Sequence, residues 1–160
     1  TYINQELPTL CRRFFGIQPV PERTYIMGLS MGGYGAMKCA FTAPQQYAGC
    51  AGFSSVAEIQ AELPQLCRWH EDQAIFPHGI VPPQDDLFDL VEKFRDGTCP
   101  MPRLFLACGQ QDSLYPANLR LRDTLQAMNW PLTWYEAPGD HNWFFWNDAL
   151  GRAMKELLDN

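Results

Sequence analysis

Ser30 stands at the centre of Gly28-Leu29-Ser30-Met31-Gly32, a GxSxG frame with unlike flanks. The run 23–27 is short and apolar, and 31–43 is rich in small and apolar residues up to Pro44. That order predicts a strand, a tight turn carrying the serine, and a helix. Glycines at 28 and 32 are expected to let two backbones pass closely at the turn. Turned this way, the Ser30 hydroxyl projects above the strand end. The Met31 amide then points to where a carbonyl oxygen would gather negative charge at the helix N-terminus. These are the parts of a nucleophilic serine. The plainer alternative is a glycine-rich turn that only packs a helix against a sheet.

A serine hydroxyl is a weak nucleophile at neutral pH, so it needs an imidazole base, and the base needs an acid to fix its tautomer. The chain holds three histidines, His70, His78 and His141. His141 fits best, because Ala137-Pro138-Gly139-Asp140-His141-Asn142 is a loop of turn formers between a strand-like and a helical segment. His70 and His78 fall in a polar, proline-containing stretch and read as solvated or packing residues. For the acid, the apolar run 103–108 leads directly through Gly109-Gln110-Gln111 to Asp112. The order Ser, Asp, His is that of α/β hydrolases. Asp112 could instead simply cap the helix that follows. Asp140 is the rival acid, but neighbouring side chains in a turn diverge, which favours Asp112.

Four separated segments, "YINQELP", "GLSMGGYGAMKCAFTAPQQYAG", "ACGQQDSLYPANLRLRDTL" and "APGDHNWFFW", resemble the esterase D and tributyrin esterase group of α/β hydrolases, which includes acetyl, feruloyl and S-formylglutathione esterases. The resemblance covers nearly the whole chain in the right order. It implies Ser30 as nucleophile, Asp112 as acid, His141 as base and the Met31 amide as one oxyanion donor. It also implies that Trp143 and Trp146 pack beneath the catalytic loop. A complete member resembles a sheet of about eight strands. The expectation is therefore an α/β-hydrolase fold, a mostly parallel sheet flanked by helices, whose N-terminal strands are missing from these 160 residues. The loop giving the second oxyanion amide would be missing with them, a loss worth about a hundredfold to a thousandfold in turnover.

The elements that must position these groups follow from pattern. Strands are expected at 24–29, 47–53, 104–108 and 132–136. A first helix precedes them, and helices follow at 31–43, 117–128 and 144–158, an alternation that implies a parallel sheet covered by helices. Without repeats or linkers, 1–160 reads as one domain. The stretch 54–102 reads as a helical insertion, with pieces at 57–69 and 85–94. It either covers an acyl or alcohol pocket, with Trp69 and Phe76 as wall residues beside Trp143, or packs peripherally without touching substrate.

Composition bounds the rest. With 46% hydrophobic and 19% charged residues the chain can build a core, and a formal charge of −6 argues against nucleic acid and anionic membranes as partners. No apolar run reaches the eighteen or so residues of a membrane span. The six cysteines are scattered without motif and read as free buried thiols, which favours a cytoplasmic setting. Cys67 and His70 lie one helical turn apart, but no second pair completes a zinc site, and no metal or organic cofactor is expected. The expected function is hydrolysis of small short-chain acyl esters, acetyl-type and sugar-linked ones among them, through an acyl-serine. An acyltransferase on the same fold, or an impaired hydrolase serving as a binding module, are the alternatives. An open sheet edge could be covered by a second copy. The base must be neutral to accept a proton, and His141→Ala should lower kcat/KM for an ester by about a hundredfold to ten-thousandfold. A rate unchanged by that substitution would remove His141 from the role.

Overall fold

The computed structural model describes residues 2–66 and 74–159. A wide helical turn, Tyr2–Glu6, leads into α1 (Leu7–Phe15). Then follow β1 (Tyr25–Leu29), α2 (Met31–Thr42), β2 (Gly49–Phe53), α3 (Ile59–Leu66), α4 (Leu87–Glu92), β3 (Arg103–Gly109), α5 (Tyr115–Ala127), β4 (Leu132–Ala137) and α6 (Trp143–Leu158). The four strands are all parallel and lie side by side in chain order. Because side chains alternate along a strand, β2 and β3 send Cys50, Leu104 and Leu106 to one face, and Ala51, Phe53, Phe105 and Ala107 to the other. The first set packs with α2, α3, α4 and α5 into the larger core. The second meets Phe145, Ala149, Ala153 and Leu157 of α6. Burial on both faces is why β2, and β3 after Arg103, carry no charged residue.

The expected alternation of strands and helices is present, with ends shifted by a few residues. One expectation changes in kind. A short apolar run between turns predicts a strand buried in the sheet, yet all of β1 is only half-buried. Among the described residues β1 pairs with β2 alone, and its other flank faces a groove of about 690 Å³ bordered by α1 and α2. The N-terminal turn is tied to the body by Asn4, which donates to the Cys39 carbonyl at 3.1 Å and accepts from the Tyr47 hydroxyl at 2.7 Å.

The described parts of 54–102 join the body of the fold. Val56, Ala57, Ile59 and Leu63 before and within α3, and Leu87, Val91 and Phe94 in and after α4, are buried in the larger core. Phe94 packs edge-on against Trp130, whose indole N–H donates to the Pro102 carbonyl at 2.8 Å. Trp69, Cys67 and His70 lie outside the described residues. No described helix is long and apolar enough to cross a membrane.

All four strands point their carboxyl ends at one rim, where this class of sheet gathers its ligands. Two loops cross there at close quarters. A Cβ on Gly109, at the end of β3, would lie 2.4 Å from the Gly139 carbonyl oxygen of the loop after β4. Gly109→Ala should therefore cost at least about 2 kcal/mol, read as a lower denaturant midpoint. Gly151→Ala, on an open face of α6 with nothing within 4 Å of the new Cβ, should be neutral or stabilise by up to about 1 kcal/mol.

Candidate active site

The turn between β1 and α2 holds Ser30 at φ 55° and ψ −123°, a left-handed conformation that L-residues adopt at a cost of about 1–3 kcal/mol. Its backbone is pinned from several sides. The Ser30 amide donates to the Phe53 carbonyl at 2.8 Å, and the Ser30 carbonyl accepts from Gly33, Tyr34 and Val56. Gly28 is required by contact, since a Cβ there would sit 2.1 Å from the Gly32 carbonyl oxygen. The same expectation fails at Gly32, where a Cβ would meet nothing within 4 Å because that face opens onto the groove beside β1. The second crowded glycine is Gly33, packed against the Ser55 hydroxyl. Met31 opens α2, so its N–H belongs to the first helical turn, where donors have no intrahelical acceptor.

The structure brings Ser30, Asp112 and His141 together across 111 residues of sequence. His141 Nε2 lies 3.0 Å from Ser30 Oγ, and its Nδ1 lies 2.9 Å from Asp112 Oδ2. In the neutral ring, Nδ1–H donates to the carboxylate and Nε2 accepts the serine proton. Asp112 is 3% exposed and its other oxygen, Oδ1, accepts from the Leu114 amide at 2.9 Å. The capping alternative fails, because the N-cap of α5 is Leu114 and no side chain caps it; Asp112 Oδ1 holds only the turn before the helix, while Oδ2 faces the imidazole. Asp140 turns away from the ring, its Oδ1 accepting from the His141 backbone amide at 2.7 Å. His78 is exposed on the Pro77–Gly79 turn.

The histidine loop is fixed to the acid loop by Gln111. Its amide donates to the Gly139 carbonyl at 2.9 Å, and its side-chain oxygen accepts from the Gly139 amide at 2.6 Å. Asn142 then caps α6, accepting from the Phe144 and Phe145 amides. Behind the imidazole stands Trp146, edge-on at 4.8 Å between ring centroids, with its indole N–H donating to Ser54 Oγ at 3.1 Å. Trp146 is thus buried beneath the loop, whereas Trp143, one turn earlier, is 66% exposed and borders a shallow depression with Phe144 and Asn147. Cys108 lies close by, but burial, with the Asp112 charge added, pushes its thiol up to about 12, which leaves it unfit as a nucleophile. Among the described residues no cluster of three metal-ligating side chains occurs.

Sequence reasoning missed Asn118. It lies 1% exposed on the buried face of α5, and its amide donates to the Ser55 carbonyl at 2.8 Å and the Leu114 carbonyl at 2.9 Å. Its oxygen accepts from the Ser55 amide at 3.2 Å. One side chain thereby clamps the acid loop to the segment that supports Ser30 through Val56. The signal was available, because Asn118 shares the helical repeat of Ala117, Leu121 and Leu125, a polar residue where the pattern calls for an apolar one.

A parallel sheet flanked by helices, with a serine on a strand-to-helix turn and an Asp–His pair on later strand ends, defines an α/β-hydrolase architecture. Residues 1–97 match the esterase family, described as "Putative esterase", and the chain belongs to that family. An acetyl esterase of Caldicellulosiruptor saccharolyticus is 28% identical over 163 residues, covering 96% of this chain and 61% of that protein. The Staphylococcus aureus fluorophosphonate-binding serine hydrolase FphF superposes with a TM-score of 0.87 at 29% identity, covering 97% of this chain and 62% of the other. The S-formylglutathione hydrolase FrmB of the same organism gives 0.78 at 29%, covering 95% and 57%. The chain thus spans about three fifths of the length of these relatives.

Asn118→Leu would leave the buried Ser55 N–H without its partner, while the Ser55 carbonyl would keep the Ala57 amide at 2.8 Å. A loss of roughly 1–3 kcal/mol is expected from the one orphaned group, read by equilibrium unfolding, and an unchanged midpoint would show that Asn118 clamps nothing.

Proposed function

We propose that this chain carries the catalytic centre of a serine carboxylic ester hydrolase acting on short-chain acyl esters, with Ser30 as nucleophile, His141 as base, Asp112 as acid and the Met31 amide as an oxyanion donor. The observation that supports this most directly is the continuous hydrogen-bonded path from buried Asp112 through both nitrogens of His141 to Ser30. Membership of the esterase family, and likeness to proteins named acetyl esterase and S-formylglutathione hydrolase, support an ester or thioester as substrate.

The reaction runs in two halves. As the Ser30 Oγ–C bond forms at the ester carbonyl, the hydroxyl proton passes to His141 Nε2, and Asp112 stabilises the imidazolium through Nδ1–H. The carbonyl electrons collect on oxygen near the Met31 N–H. When they return, the bond to the leaving oxygen breaks, and that oxygen takes the proton from Nε2, leaving an acyl-serine and a free alcohol. Water then attacks the acyl carbon with the same base, releasing the acid and restoring Ser30. None of these steps calls for a metal or an organic cofactor.

Phe76 and Trp143 are read as pocket residues. Phe76 borders a cavity together with Met31, and Trp143 packs edge-on against Trp146, which backs the imidazole. Residues 1–160 are read as one domain, and a cytoplasmic setting accords with the free thiols of buried Cys50 and Cys108. A fluorophosphonate should add one phosphonyl group to this chain and none to Ser30→Ala, as read by intact mass. Failure to label a folded parent chain would refute the nucleophile assignment.

A further inference from the structure

A cavity of about 290 Å³ starts at Met31 and follows one face of α2, whose residues Met31, Tyr34 and Lys38 border it at helical spacing. Across from them stand Leu63 of α3, Ile75 and Phe76. The far end is polar: Lys38 pairs with Asp85, and the Tyr34 hydroxyl donates to the Asp85 carbonyl at 2.6 Å. Burial works against the Lys38 ammonium, but its bond to Asp85 and its contact with Tyr34 outweigh that and raise its pKa, so the lysine is held charged. The cavity is therefore an apolar slot stopped by an ion pair. From Met31 to Lys38 the helix rises about 10 Å.

We propose that this slot binds the acyl chain of the ester, and that the Lys38–Asp85 pair sets the longest chain accepted. The inference rests on the hydrolase reading above. Its geometric basis is the three directions that leave an attacked carbonyl carbon besides Ser30 Oγ. The oxygen goes to the Met31 amide. The leaving alcohol must face His141, because Nε2 has to protonate it. The remaining substituent, the acyl chain, is left to the side away from the imidazole. The slot lies on that side, since none of its lining residues comes from the histidine loop or from α6, whereas Met31 forms its mouth. An acetyl group leaves the slot almost empty, butyryl and hexanoyl chains enter it, and a dodecanoyl chain would have to drive the lysine and aspartate apart.

The test is kcat/KM for a series of esters with one common alcohol and acetyl, butyryl, hexanoyl or dodecanoyl acyl groups, alongside fluorophosphonate labelling. Each buried methylene is worth about fourfold, so butyryl, with two more, should exceed acetyl by roughly fifteenfold, and dodecanoyl should fall below hexanoyl. Two variants that fill the slot, Leu63→Phe from within α3 and Ile75→Trp from its exposed rim, should abolish the preference for butyryl while leaving acetyl within about twofold. A second series, with acetyl fixed and the alcohol lengthened, should not respond to either variant. If Ser30 is labelled but the acyl series is flat, or if the variants change the alcohol series instead, the acyl assignment is overturned while the hydrolase reading stands. If Ser30 takes no label and no ester is cleaved, both fall.

Discussion

The site depends on one strained residue. Ser30 occupies a left-handed conformation that a free chain avoids, and only its surroundings keep it there. The Phe53 carbonyl on β2 holds its amide, while the start of α2 and Val56 hold its carbonyl. The strain, about 1–3 kcal/mol, lifts the hydroxyl clear of the strand end and aligns it with His141 while the first amides of α2 stand behind it. A relaxed serine at the same position would lie along the strand, out of reach of a base delivered by a different loop.

The other contacts of the rim bring His141 and Asp112 to the same point. Gly109 lets the loop after β4 cross the end of β3, Gln111 binds the two loops together, and Asn118 ties the acid loop to the support of Ser30. Trp146 backs the imidazole while being fixed itself by Ser54, which also has a left-handed backbone. Buried polar groups of this kind specify position because each has its partners, and each is costly to leave alone. The distances among Ser30, His141 and Asp112 are thus set by backbone and amide contacts several residues away from these side chains.

Much of this was legible in the sequence, for physical reasons. The turn at Ser30 is local, so its strand, glycine and helix signals all lie within about fifteen residues. Asp112 and His141 could be chosen because each follows an apolar run that can only be a strand in a parallel sheet. What escaped was long-range. Gly32 looked like the crowded partner of Gly28, but the crowding falls on Gly33, because the Ser55 hydroxyl arrives from a segment more than twenty residues away. The half-buried state of β1 depends on what lies beside it in the sheet, which its own apolar residues do not encode. The core role of α3 and α4 was hidden by the prolines around them, which give no sign that Ile59, Leu87 and Phe94 join α2 and α5 in the larger core.

The account stands or falls on whether Ser30 becomes covalently acylated during turnover. The direct measurement is to mix the protein with an activated acetyl ester, quench with acid within the first turnover, and locate any acetyl group by peptide mass spectrometry. Acetyl is expected on the peptide carrying Ser30 and absent in Ser30→Ala, because the acyl group is held by the Ser30 oxygen. Ester cleavage by the parent chain without acetyl on Ser30, or acetyl on another side chain with Ser30 dispensable, would contradict it.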